Sequence, residues 1–94
     1  MGIEYTLRFH SPNEAATEAE LCRIPDAVVR TAPTKAIEYR REKSSTETIP
    51  DATAQVEEGG LYFCDHGGYG REYLGLVVAR LVAAFGPVKV EELE

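Results

Sequence analysis

Cys64 and His66 are the pair of side chains best suited to chemistry in this sequence. Two positions apart on an extended chain, they point to the same side. A thiol beside an imidazole is the elementary unit of cysteine nucleophilic catalysis, with the ring as base. Asp65, between them, points to the opposite side and is badly placed to orient the ring. The preceding Leu61-Tyr62-Phe63 is apolar, and a thiol in apolar surroundings keeps its proton and stays inert. The expectation is an unreactive Cys64 and no catalytic residues. An enzyme working through Cys64 and His66 is the alternative.

The same stretch runs on into Gly67-Gly68-Tyr69-Gly70-Arg71, between a strand pattern and a helix pattern. Glycine turns in that position cradle phosphates at helix N-termini. The spelling departs from both known forms. A dinucleotide fingerprint needs a third glycine at position 73, where Tyr73 stands, and Gly75-Leu76-Val77 lacks the lysine and hydroxyl of a P-loop. His10, Cys22, Cys64 and His66 are all the histidines and cysteines of the chain. Four such groups suffice for zinc, but the close Cys-x-x-Cys spacing of a structural site is missing. No metal and no cofactor are expected. Arg40-Arg41-x-Lys43 is balanced by Glu38, Glu42 and Glu47, and reads as a solvated strand edge rather than a nucleic-acid site.

These groups need elements to hold them. Ile3, Tyr5, Leu7 and Phe9 alternate with polar residues, which predicts a strand with one buried face. Ser11-Pro12-Asn13-Glu14 carries a capping box with proline at the first helical position, so a helix is expected over 12–22 with Ala15, Ala16, Ala19 and Cys22 as its apolar side. Residues 26–30, after Pro25, fit a helical turn or a strand equally. A second strand is expected over 35–41 with Ile37 and Tyr39 inward, followed by a polar mobile loop at about 42–51. Residues 52–58 and 61–66 read as a hairpin turning at Gly59-Gly60, with both glycines at positive φ. With Leu61 and Phe63 facing the helices, Tyr62, Cys64 and His66 face away. Residues 71–85 form the strongest helix, with Leu74, Val78, Leu81 and Phe85 packing on Ile3, Leu7, Phe9, Ile37 and Phe63. Gly86-Pro87 stops it, residues 88–90 return as a short strand, and 91–94 is a solvated acidic tail.

The whole predicts a single small α+β domain over 1–94. Its sheet is mostly antiparallel with about five strands and has two helices on one face; a ferredoxin-like layout with an added hairpin strand is one realisation. A chain of 94 residues leaves room for one modest core. The N-terminus has no basic flank and no signal-length apolar run, and the stretch 74–85 is broken by Arg80 and too short for a bilayer. A cytoplasmic protein with reduced thiols and no membrane partner is expected.

Charge points to the function class. The net charge is −6, and residues 51–94 carry eight acidic against three basic groups. Such a surface repels phosphate backbones and attracts basic proteins. The expected function is a small acidic protein-binding module, an inhibitor or a bacterial immunity- or antitoxin-type protein. It would neutralise a basic effector, such as a toxin or nuclease, by covering its site. The expected partner-binding residues are Glu57, Glu58, Tyr62, Asp65, His66, Tyr69 and Glu72. Besides the enzyme, the alternative is a regulatory module that binds a small ligand on the open sheet face, or forms a homodimer through it.

Overall fold

A computed structural model of the chain describes residues 2–31, 34–41 and 49–93. Its elements run β1 (Ile3–Arg8), α1 (Glu14–Leu21), β2 (Ala27–Arg30), β3 (Ala36–Tyr39), β4 (Ala52–Glu57), β5 (Gly60–Asp65), α2 (Gly70–Phe85) and β6 (Lys89–Leu93). One six-stranded sheet unites the strands in the order β2-β3-β4-β5-β1-β6, and every neighbouring pair is antiparallel. Both helices lie on one face, against each other and over β4 and β5.

Without β2 and β3, the chain reads strand, helix, strand, strand, helix, strand, with sheet order β4-β5-β1-β6. That is the ferredoxin-like arrangement. The β2–β3 hairpin is inserted between α1 and β4 and widens the sheet on the β4 side. Among the described residues the sheet therefore has six strands rather than about five. The ambiguous segment after Pro25 is strand β2, because pairing with β3 satisfies its backbone where no tertiary helix contact would.

The period-of-two strands place the core. Tyr5, Leu7, Ile37, Tyr39, Ala52, Ala54, Leu61 and Phe63 all point to the helix side and are buried. Ring pairs join the layers: Tyr39 stacks on Tyr73 at 5.1 Å between centroids and Phe9 on Phe85 at 5.7 Å. The Tyr39 hydroxyl reaches through the core to donate to the Leu21 carbonyl at 2.9 Å, which ties β3 to the end of α1.

Several local expectations are corrected. The N-cap of α1 is Asn13, whose side chain accepts from the Ala16 N–H at 2.7 Å; Ser11 instead donates to the Asn13 carbonyl. Thr17 and Leu21 form its buried side, while Ala15, Ala19 and Cys22 are exposed. The hairpin turns at Glu58-Gly59, with Glu57 opposite Gly60, and only Gly59 has a positive φ. Gly60 is needed for a different reason: a Cβ there would lie 2.0 Å from the Leu7 carbonyl oxygen of β1. The buried line of α2 is Tyr73, Val77 and Leu81, with Leu74, Val78 and Phe85 packed at its flanks, and Ile3 is 41% exposed. Residues 91–93 of the expected tail belong to β6, which pairs with β1. Most of the expected loop, residues 42–48, lies outside the described residues, but Asp51 at its end is fastened to the Tyr39 carbonyl at 2.9 Å.

Candidate functional site

Three surfaces compete for function, and the fold decides how each is built. The first is the sheet face without helices. It carries Glu4, Thr6 and Arg8 from β1, Glu38 from β3, Thr53 and Gln55 from β4, and Tyr62 and Cys64 from β5. Its polar groups are largely matched to one another. Arg30 and Arg40 both reach Glu38, at 3.0 and 3.4 Å. Tyr62 donates to Glu4, and this hydrogen bond pushes the phenol well above its ordinary range. Arg8 faces Glu57 at 3.5 Å.

Cys64 and His66 do meet on this face, as their spacing requires. The sulfur lies 3.6 Å from His66 Nδ1, and His66 Nε2 lies 3.1 Å from the Thr53 hydroxyl. The thiol is nonetheless buried, 7% exposed, beneath its neighbours. The chain at Gly2 crosses so closely that a Cβ there would fall 2.6 Å from the sulfur. Burial, reinforced by the Glu4 carboxylate, raises the thiol's pKa. A nucleophilic cysteine needs the opposite shift.

The second surface is the 67–70 turn ahead of α2. Asp65 is buried there, 8% exposed, and its Oδ1 accepts from the Gly67 N–H at 2.9 Å. A Cβ at Gly70 would stand 1.9 Å from that same oxygen. Gly68, at φ +55, brings the start of the helix against the Asp51 carboxylate in the same way. Carboxylates stabilise helix N-termini as phosphates do. The glycines thus admit the protein's own acids, and a phosphate would have to displace Asp65. Outside, Arg41 lies 4.4 Å from the Tyr69 ring and 3.3 Å from the Glu72 carboxylate, so both predicted partner residues are already engaged.

The third surface is a cleft of about 390 Å³ between α1 and the β3–β4 pair. Its origin is geometric. A helix about 10 Å across covers roughly two strands spaced about 4.8 Å apart, so two helices leave the margins of a six-stranded sheet uncovered. Ile37, Ala54 and Val56 supply an apolar floor, and Glu14 and Glu18 form the α1 wall. Across the mouth, Lys35 Nζ sits 2.6 Å from Glu18 Oε1, a contact that raises the lysine's pKa. A second depression continues from the first through Glu14 to Glu57 and Glu58 at the hairpin turn.

No family model, no curated protein and no solved structure matches this chain. Its geometry is the remaining guide. The seven residues expected to bind a partner do not form one patch. Glu57 and Glu58 border the depression that adjoins the cleft at Glu14, Tyr62 and His66 lie on the sheet face, and Asp65 is buried. Tyr69 and Glu72 start α2, at the other end of β5 from Glu57; six strand residues separate those ends by about 20 Å. Sequence reasoning missed Glu14 and Glu18. Their four-residue spacing puts both on one side of α1, a signal obscured because Glu14 was assigned to a capping box.

Proposed function

We propose that this protein is a binding module for a basic protein partner, which it takes at the acidic cleft between α1 and the β3–β4 pair. The observation that carries this reading is the pairing of an acidic wall with an apolar floor, with a lysine already seated at the wall. The seated Lys35 supports a cation as the group the wall receives. Its ion pair is solvent-exposed, so another cation exchanges for it at little cost. Val56, the half-buried residue of the floor, then offers a contact for one aliphatic side chain beside that cation. Glu58, beside the Arg8-paired Glu57, extends the negative field along the approach, and a long-range field of this kind speeds encounter with a basic protein. Inhibition follows without catalysis: a protein that occupies the basic, phosphate-holding site of a toxin or nuclease neutralises it. This is the mode of an immunity- or antitoxin-type inhibitor. Among the described residues no helix is long and apolar enough to cross a membrane.

The enzyme reading has weaker support, because the thiol of Cys64 is buried and its pKa is raised. A small-ligand module is the second reading, favoured by a cleft volume within the usual range for small-molecule pockets. A peptide alternating lysine and leucine serves as the probe, titrated into labelled protein and followed by amide NMR. Shifts at Glu14, Glu18, Ile37 and Ala54 that weaken with salt, and that vanish in Glu14→Lys/Glu18→Lys, support the module for basic partners. Shifts centred on Tyr62, Cys64 and His66, or none at all, overturn it.

A further inference from the structure

The sheet margin opposite the cleft ends in β6, and all five of its residues are exposed. An edge strand of this length presents a row of unpaired backbone donors and acceptors. Proteins commonly guard such edges with charged side chains. In β6 the charges on one face are of both signs: Lys89 and Glu91 share the open sheet face, with Val90 between them and Glu92 beyond on the helix face. No described residue forms an ion pair with Lys89 or Glu91.

We infer that β6 is a self-association edge, on which a second copy of this chain pairs antiparallel about Val90. The register follows from charge. A two-fold axis perpendicular to the sheet keeps faces aligned, so the axis must pass through a residue position. Centred on Lys89, Glu91 or Glu92, the pairing sets a like charge directly against itself, which destabilises a sheet. Centred on Val90, it sets Lys89 against the second copy's Glu91 twice over and Val90 against its own counterpart. Leu93, 39% exposed, then falls beside the second copy's Pro87. The open-face row across the junction alternates apolar, paired, paired, apolar, and no like charges meet. The other edge strand, β2, is only four residues long; it exposes Val28 and Val29, and its one charge, Arg30, is already held by Glu38 at 3.0 Å, so charge sets no register there. The result is one continuous twelve-stranded sheet with all helices on one side. Both clefts stay open, since each lies at the far side of its own copy. This association is independent of what the cleft binds.

The test is a charge swap read by sedimentation equilibrium over a wide protein concentration range at low and high salt. The unmodified chain is expected to dimerise reversibly, and more weakly as salt rises. Glu91→Lys alone and Lys89→Glu alone each place like charges in both cross-strand positions, and should weaken the dimer about tenfold or more. The double variant Lys89→Glu/Glu91→Lys restores opposite charges and should bring the dimer back to within about threefold of the original. Because these residues are exposed on an edge, circular dichroism should show all three variants folded. A chain that stays monomeric at every concentration overturns the inference. So does a dimer that Glu91→Lys leaves intact, or one that the double swap does not restore.

Discussion

The two faces of the sheet treat polar groups differently. On the open face, carboxylates, guanidinium groups, the phenol of Tyr62 and the imidazole of His66 are matched with neighbours on adjacent strands. On the helix side, the cleft sets Glu14 and Glu18 over Ile37 and Ala54, and the lysine that answers Glu18 is exposed and replaceable. A matched network gains little from a partner, because each new contact must first break an old one. An acidic wall beside the half-buried Val56 gains from a cation and from the apolar area that Val56 still exposes. The number of polar groups on a face therefore says less about binding than whether those groups are already paired.

Both faces depend on one sheet, so the largest effects come from breaking it. Gly60→Ala drives a methyl group into the Leu7 carbonyl, backbone against backbone, where β1 and β5 pair. It should cost about 3 kcal/mol or more. Leu81→Ala empties a fully buried position beneath α2 and should cost about 2–5 kcal/mol. Leu76→Ala, on the same helix but 48% exposed, should cost well under that, about 0.5 kcal/mol. Urea melts of the three variants check the ordering. Equal losses for Leu81 and Leu76 would mean that the buried side of α2 has been misplaced.

That helix also shows what the sequence conceals. The strands were legible because a period of two has only two phases, and Ile37, Tyr39, Leu61 and Phe63 fall on the expected side. The fold class and the hairpin followed from them. In α2, apolar residues occur nearly all round, so the three- and four-residue spacing picks out Leu74, Val77 and Val78 alike, and only packing ranks them: Tyr73 and Val77 are buried, Leu74 and Val78 half-buried at the flanks. Tyr73 buries its ring in the core while its hydroxyl donates to Asp26 at 2.9 Å. The cleft was not legible at all. It exists because the β2–β3 hairpin extends the sheet beyond its helices, a tertiary fact with no local signature.

The next effect in size separates the core from the open face by pH. Burial is the leading cause that raises the Tyr39 and Tyr73 phenols above their ordinary value of 10.0. A group whose folded pKa is raised stabilises the fold fully below its unfolded value and loses that contribution as pH climbs through the folded one. Stability should therefore hold to about pH 10 and decline above it. Tyr39→Phe should flatten that decline, while costing about 1 kcal/mol at neutral pH for the lost bond to the Leu21 carbonyl. Tyr62 titrates high for another reason, its exposed hydrogen bond to Glu4, and Tyr62→Phe should leave neutral stability within about 0.5 kcal/mol. Melts at pH 7 distinguish the two tyrosines by that cost, and melts up to pH 11 follow the decline, to which the raised Tyr62 phenol also contributes. A decline that Tyr39→Phe leaves unchanged would place its cause elsewhere.

Thiol labelling sharpens the same contrast. Cys22 is exposed and Cys64 is buried on the open face, so a thiol reagent at neutral pH should modify Cys22 first in folded protein and both at similar rates in denaturant. Cys64 labelled as fast as Cys22 in the native state would revive the enzyme reading.

The smallest expected effect bears most directly on the cleft. Lys35 is exposed and its contact with Glu18 is a surface ion pair, so Lys35→Ala should leave the melting temperature nearly unchanged. Its effect on binding should have the opposite sign to that of an ordinary interface truncation. If Lys35 occupies the place a partner's cation takes, removing it frees the Glu18 carboxylate and deletes a positive charge from the mouth of the cleft. Affinity for the lysine–leucine probe should then rise by about twofold to fivefold. The gain should shrink at high salt, where the field of the wall is screened over less than 10 Å. Glu18→Gln should abolish the gain, because the freed acceptor no longer carries charge. Titration calorimetry of the two single variants and the double variant at two salt concentrations gives the coupling directly. A loss of affinity in Lys35→Ala would show that the lysine belongs to the binding surface itself, and that the cleft receives an anionic or neutral ligand instead of a basic one.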